Sequence, residues 1–124
     1  MANPSDVGPS GAGTEVLRRV QFNGLSAETV ILTVPEDHIY TILLVVVVNM
    51  LTSAETFGIY FSPDGSGTCY LMKDNTPIDG NASFVWNDKF VITGQTSGTG
   101  DVLKVASSSS NFDVSCSFID QDFS

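Results

Sequence analysis

The stretch "HIYTILLVVVVNM", residues 38–50, decides how the chain is read. Residues 39–48 hold nine apolar side chains and one threonine, in a chain that is otherwise acidic. A membrane helix needs about 20 apolar residues in succession, and this run has about half that. A buried helix is compatible with the length but not with the residue types. Val45, Val46, Val47 and Val48 follow Ile39, Thr41 and Ile42, and β-branched side chains lose rotamer freedom in a helix but fit a pleated sheet. The run is therefore a strand. Its even positions are Tyr40, Ile42, Leu44, Val46 and Val48, and its odd positions are Ile39, Thr41, Leu43, Val45 and Val47. Neither set suits water, so one face belongs to the domain core and the other needs cover. No segment has a convincing 3.6-residue apolar period, so crossover helices do not supply that cover. A loop, the N-terminal arm or another subunit must, because a bare apolar sheet face invites aggregation.

The rest of the chain divides into short strands and turns. "EVLRRVQF" (15–22) alternates, "NGLS" (23–26) turns, and "ETVILTV" (28–34) is a second strand with Val30, Leu32 and Val34 on one face. Pro35 ends it, because proline cannot donate to a ladder. "FGIYF" (57–61) and "TCYLM" (68–72) flank "SPDGSG" (62–67), a strong turn signal, and read as a hairpin. "KDNTPIDGN" (73–81) reads as a loop. "ASFVW" (82–86) and "KFVIT" (89–93) read as a further pair, or as one strand and a rim segment. "VLKVA" (102–106), a "SSSSN" spacer (107–111) and "FDVSCSFI" (112–119) follow. In the last strand Phe112, Val114, Cys116 and Phe118 point inward while Asp113, Ser115 and Ser117 point outward. Eight to nine short strands with turns every 5–12 residues give an all-β fold, an antiparallel β-sandwich of jelly-roll or Greek-key type. The 124 residues suffice for one core. Residues 1–14, rich in Pro, Gly and Ser, read as a flexible arm ahead of a single domain at 15–124.

Composition bounds the function. Fourteen acidic residues against five basic ones give a formal charge of −9. Such a surface repels nucleic acid, and Arg18-Arg19 is the only basic pair. The opening "MANPSDVGPSGAGTE" has neither the basic stretch nor the apolar run of a secretory signal, so synthesis in a reducing cytosol is expected. Cys69 and Cys116 are far apart, lack metal-ligand spacing, and read as buried free thiols, with a disulfide as the lesser alternative. His38 is the only histidine, so no nucleophile–base–orienter set is legible, and the chain reads as a non-enzyme with no metal and no cofactor. The carboxylates at Asp64, Asp74, Asp79, Asp88 and Asp101 read as solvated turn residues.

A resemblance adds to this. The segment "ETVILTVPEDHIYTILLVVVVNM" (28–50) resembles one in small β-sandwich structural proteins of tailed bacteriophages: a strand ending in Val34-Pro35, a turn at 36–38, and a long apolar strand closed by Asn49. "DNTPIDGNASFVW" (74–86) and "SGTGDVLKVASSSSNFDVSCSFID" (97–120) are similar to that group's proline-containing loop and closing strand pair. Gly100-Asp101 agrees with the pattern, whereas the turn after Pro35 is acidic here and usually glycine-containing and basic there. The resemblance implies a non-enzymatic part of a virus particle; the need for cover on both faces of 39–48, the arm at 1–14 and the lack of a catalytic set favour a capsid decoration or cement protein on the shell surface, assembled in the host cytoplasm. The implied partners are the major capsid protein and further copies of the chain, trimers being common in similar proteins, with no nucleic acid and no membrane. If the even face of 39–48 is core, the contact residues are Ile39, Leu43, Val45 and Val47; in the reverse register they are Tyr40, Ile42, Leu44, Val46 and Val48. The alternative is a tail or carbohydrate-binding receptor module presenting Tyr60, Tyr70 or Trp86 at a loop end.

Overall fold

A computed structural model describes residues 14–65, 70–95 and 98–123. Among these residues seven antiparallel strands form one sheet that curls on itself into a half-barrel: β1 (Thr14–Thr33), β2 (His38–Asn49), β3 (Glu55–Ser62), β4 (Tyr70–Ile78), β5 (Ser83–Trp86), β6 (Phe90–Thr93) and β7 (Val102–Asp122). Among the described residues no helix is long and apolar enough to cross a membrane. The sandwich expectation holds, but the segmentation differs from the sequence reading. "NGLS" and "SSSSN" do not end their strands. β1 and β7 each continue through those segments, with register shifts between Phe22 and Ala27 marking where β1 bends. Gly24 takes the left-handed conformation there (φ 61°), open to glycine at little cost.

The bends build two layers. In the front layer the order is β1 (14–22), β7 (112–122), β2, and then β5 and β6 side by side along β2. β5 and β6 therefore do not pair with each other. In the back layer the order is β1 (25–33), β7 (102–107), β3 and β4. The 73–78 stretch, expected as loop, is part of β4; Asn75 at φ 44° and register shifts absorb its irregularity. The layers share one core. Ile42, Val45, Val47, Phe112 and Cys116 of the front meet Phe57, Ile59, Leu103 and Val105 of the back. Phe57 reaches across to Phe84, ring centroids 5.0 Å apart. Ile31, Leu32 and Val34 are buried, while Val30 is exposed, because a register shift between Val30 and Leu32 breaks the expected alternation.

Two polar anchors fix the turns. Asn49, fully buried at the end of β2, donates from Nδ2 to the carbonyls of Ser53 (2.9 Å), Ile78 (3.3 Å) and Asp79 (3.3 Å). Its Oδ1 accepts the Leu51 N–H at 3.0 Å. Asp101, expected as a solvated turn carboxylate, is instead buried. It accepts the N–H groups of Asp64 (2.9 Å) and Thr93 (2.8 Å), tying the β3 end and the β6 end to the start of β7. A Cβ on Gly94 would overlap the Pro35 carbonyl, so that turn closes only with glycine. Removing a buried side chain that satisfies several backbone groups leaves them desolvated without partners. Asn49→Ala should therefore lower unfolding free energy by roughly 3 kcal/mol, read from urea denaturation with circular dichroism.

Candidate assembly interface

The long apolar run, β2, does not keep one face inward. Its register with β7 shifts by one residue between Ile42 and Leu44, so Leu43 is an extra residue. Before the bulge the inward residues are Tyr40 and Ile42; after it they are Val45, Val47 and Asn49. A bulge of this kind reverses the side-chain alternation downstream. Neither of the two registers weighed from the sequence is therefore right for the whole strand. Val45 and Val47 are core residues with no exposed surface, which removes them as contact residues; Tyr40 and Ile42 of the reverse set are core as well. Ile39, Leu43, Leu44, Val46 and Val48 remain half-buried.

The strand registers place these residues in rows across the outside of the front layer. One row reads Leu17, Ile119, Thr41, Val91, and a second reads Gln21, Ser115, Val46, Val85. Between them Arg19, Ser117 and Leu44 align, and at the ends lie Glu15–Gln121–Ile39–Thr93 and Asp113–Val48–Ser83. The charged residues in these rows are Glu15, Arg19 and Asp113, all on β1 and β7. The part built by β2, β5 and β6 carries none, and its Val85 and Val91 are about half exposed (48% and 57%). Antiparallel sheets that face water normally place polar residues there. Leu43 and Leu44 wall a shallow trough floored by Ser117 and bounded opposite by Leu17, Arg18 and Arg19.

The aromatic candidates do not form one platform. Tyr60 lies in a polar depression with Asn75, Ser107 and Ser108. Tyr70 (58% exposed) borders a separate apolar groove with Phe61, Met72, Phe90, Val91 and Ile92 at the seam between β4 and β6. Trp86 is half-buried, edge-on to Phe90 at 6.4 Å, and its indole N–H donates to the Asp88 carbonyl at 2.9 Å.

Titratable groups serve the fold. Asp120 is buried near the end of β7; Arg18 Nε donates to it at 2.9 Å and His38 Nδ1 lies 2.6 Å from its other oxygen. His38 Nε2 lies 3.5 Å from Asp122. This network ties β1, β2 and β7 together, and no sequence signal announces it beyond the alternation that puts Asp120 on the inward side of β7. Tyr40, beside it, has its hydroxyl pushed up by burial and by the Asp120 charge, with Arg18 opposing. Among the described residues no group of three His, Cys, Asp or Glu side chains is placed to hold a metal ion. Cys116 is a free, buried thiol pushed up to about 12 by burial, and Cys69 lies outside the described residues.

No protein-family model matches the chain, and no curated protein matches it in sequence. Solved structures share its fold. A chain in the structure of the infectious bursal disease virus Gx strain superposes with a TM-score of 0.50 at 12% identity, over 90% of this chain. A chain of the T13 particle of the same virus gives 0.51 at 10% identity over 87%. This protein spans about a third of the length of each of those chains (32% and 31%). A subunit of the disulfide-linked pili that form Bacillus endospore appendages gives 0.51 at 15% identity, covering 96% of this chain and 97% of the other. These likenesses establish the fold.

The Cys116 thiol makes a pH prediction. Its folded-state value lies above the ordinary 9.0, so the unfolded chain loses the thiol proton first as pH rises. The stabilising contribution is whole below about pH 9 and declines between about 9 and 12, by up to about 1.4 kcal/mol per pH unit. Cys116→Ala should flatten that alkaline decline in chemical denaturation measured from pH 7 to 11. Tyr40, whose hydroxyl is raised in the same direction, contributes to the slope that remains.

Proposed function

We propose that this chain is a non-enzymatic structural subunit of a virus particle, carried in many copies on the capsid surface as a decoration protein that binds the major capsid protein. The observation that carries the reading is the uncharged outer surface of β2, β5 and β6, where Ile39, Leu44, Val46, Val85 and Val91 face away from a core that is already filled. Covering such a face releases water from apolar surface at about 25 cal/mol per Å², and many weak contacts on one lattice hold firmly together. The charged remainder of the surface, at −9 overall, keeps the free subunit soluble and leaves this face as the docking side. Ile39 and Leu43 stay in the contact set, joined by Leu44, Val46 and Val48; the arm expected at residues 1–14 lies outside the described residues except for Thr14, which opens β1.

A second reading, a building block of a filamentous appendage, is favoured by the end-to-end correspondence with the spore-pilus fold. It uses the same face against further copies of the chain. The receptor or carbohydrate-binding alternative is weaker, because Tyr60 lies in a polar depression apart from the apolar groove of Tyr70, and the Trp86 ring is engaged with Phe90 and the Asp88 carbonyl.

Co-sedimentation with shells and with tails stripped of the protein tests the proposal. Saturable, high-copy binding to shells is expected, and Val91→Asp or Val85→Asp should weaken it by about tenfold or more while leaving the fold intact. Binding confined to tails, or equal binding by both variants, would sink it.

A further inference from the structure

We infer that two copies of this chain join edge to edge through β1, antiparallel and two-fold symmetric about Leu17. The inference goes beyond attachment to a shell and does not rest on it. It begins from the sheet edges. A strand with one unpaired side offers a row of backbone donors and acceptors to another chain, and most proteins blunt such edges. Here β5 and β6 are only four residues each, β4 contains Pro77 and is broken by register shifts, and β1 is irregular from Phe22 to Leu32. The exception among the described strands is residues 14–22 of β1. They pair with β7 on one side in unbroken register, from Thr14 opposite Asp122 to Phe22 opposite Val114, and with no other described strand.

The side chains on this edge then choose the partner. On its outer face stand Glu15, Leu17 and Arg19, at the two-residue spacing of a strand. Leu17 is the most exposed large apolar residue of the described chain, at 60%. Arg19 has no carboxylate partner among the described residues, and Glu15 meets the Gln121 amide at 3.5 Å. In an antiparallel pair centred on Leu17, the two leucines sit opposite each other. Glu15 of each copy then stands opposite Arg19 of the other, giving two symmetric ion pairs. The triplet is complementary to itself, which is what an isologous two-fold contact requires. Directly opposed side chains of unlike charge stabilise a ladder, and like charges destabilise it. On the inner face Arg18 remains engaged with Asp120. The joined sheet runs from β5 and β6 of one copy to those of the next, and the row Leu17–Ile119–Thr41–Val91 is doubled across the axis.

Sedimentation velocity on the full chain tests this. The wild type should form dimers, Glu15→Arg and Arg19→Glu should each weaken dimerisation by about tenfold or more, and the double variant Glu15→Arg/Arg19→Glu should recover it to within about threefold. Circular dichroism checks that each variant folds. Independently, Leu17→Cys in a Cys69→Ser background should give a disulfide-linked dimer on mild oxidation, since directly opposed Cβ atoms lie about 4.5–5.5 Å apart, close to disulfide reach. A monomeric or trimeric wild type, a double variant no better than the single ones, or no cross-link through position 17 would each overturn the inference.

Discussion

β7 is hydrogen-bonded on both edges over nearly all of its 21 residues, and the rest of the molecule hangs from those two ladders. One edge carries β1 along both 102–107 and 112–122. The other carries β3 along 102–107 and β2 along 112–122. Because the strand bends between these halves without ending, a single chain segment sets the registers of both layers. Phe112, Val114, Cys116 and Phe118 point into the core from the front half and Leu103 and Val105 from the back half, and these are among the least exposed side chains of the protein. The Asp120 network sits at one end of this strand and the Asp101 hydrogen bonds at the other, so both ends are pinned by buried carboxylates that would be costly to leave unpaired.

Against that frame β2 solves a conflict. It has more apolar residues than one face of a strand can bury. The single extra residue at Leu43 changes which of them are used, placing Ile42 and then Val45 inward and leaving Leu43 and Leu44 together outside. The outside of the front layer becomes apolar as a direct result, and it does so beside β5 and β6, whose outward Val85 and Val91 extend the same surface. The core and the candidate interface are thus two faces of one strand, divided by a bulge.

Charge is distributed to match. The acidic excess is spread over turns and strand ends, while the few basic residues have local tasks. Arg18 neutralises Asp120, Lys104 meets Glu28 at 3.0 Å, and Lys73 lies over the Phe84 ring at 5.2 Å. Arg19 turns outward next to the open edge of β1, and Lys89 stands exposed just before β6.

Much of this was legible from residue order alone. Alternation and β-branching are local properties, so the all-β class, the strand character of 39–48 and the inward set Phe112, Val114, Cys116 and Phe118 follow from the sequence with no knowledge of partners. Strand continuity was not legible, because serine- and glycine-rich segments such as 107–111 and 23–26 suit a turn and a bent strand equally until a neighbour supplies the hydrogen bonds. Nor was the face of β2, since one inserted residue reverses it and only the register against β7 fixes where the insertion falls. The burial of Asp101 and Asp120 escaped for the same reason. A carboxylate is stable inside only when its donors arrive, and for Asp120 they come from His38 and Arg18, 82 and 102 residues away in the chain. Local pattern determined the strand character of the apolar segments; contacts between distant segments decided where the strands run on and which side of each faces the core.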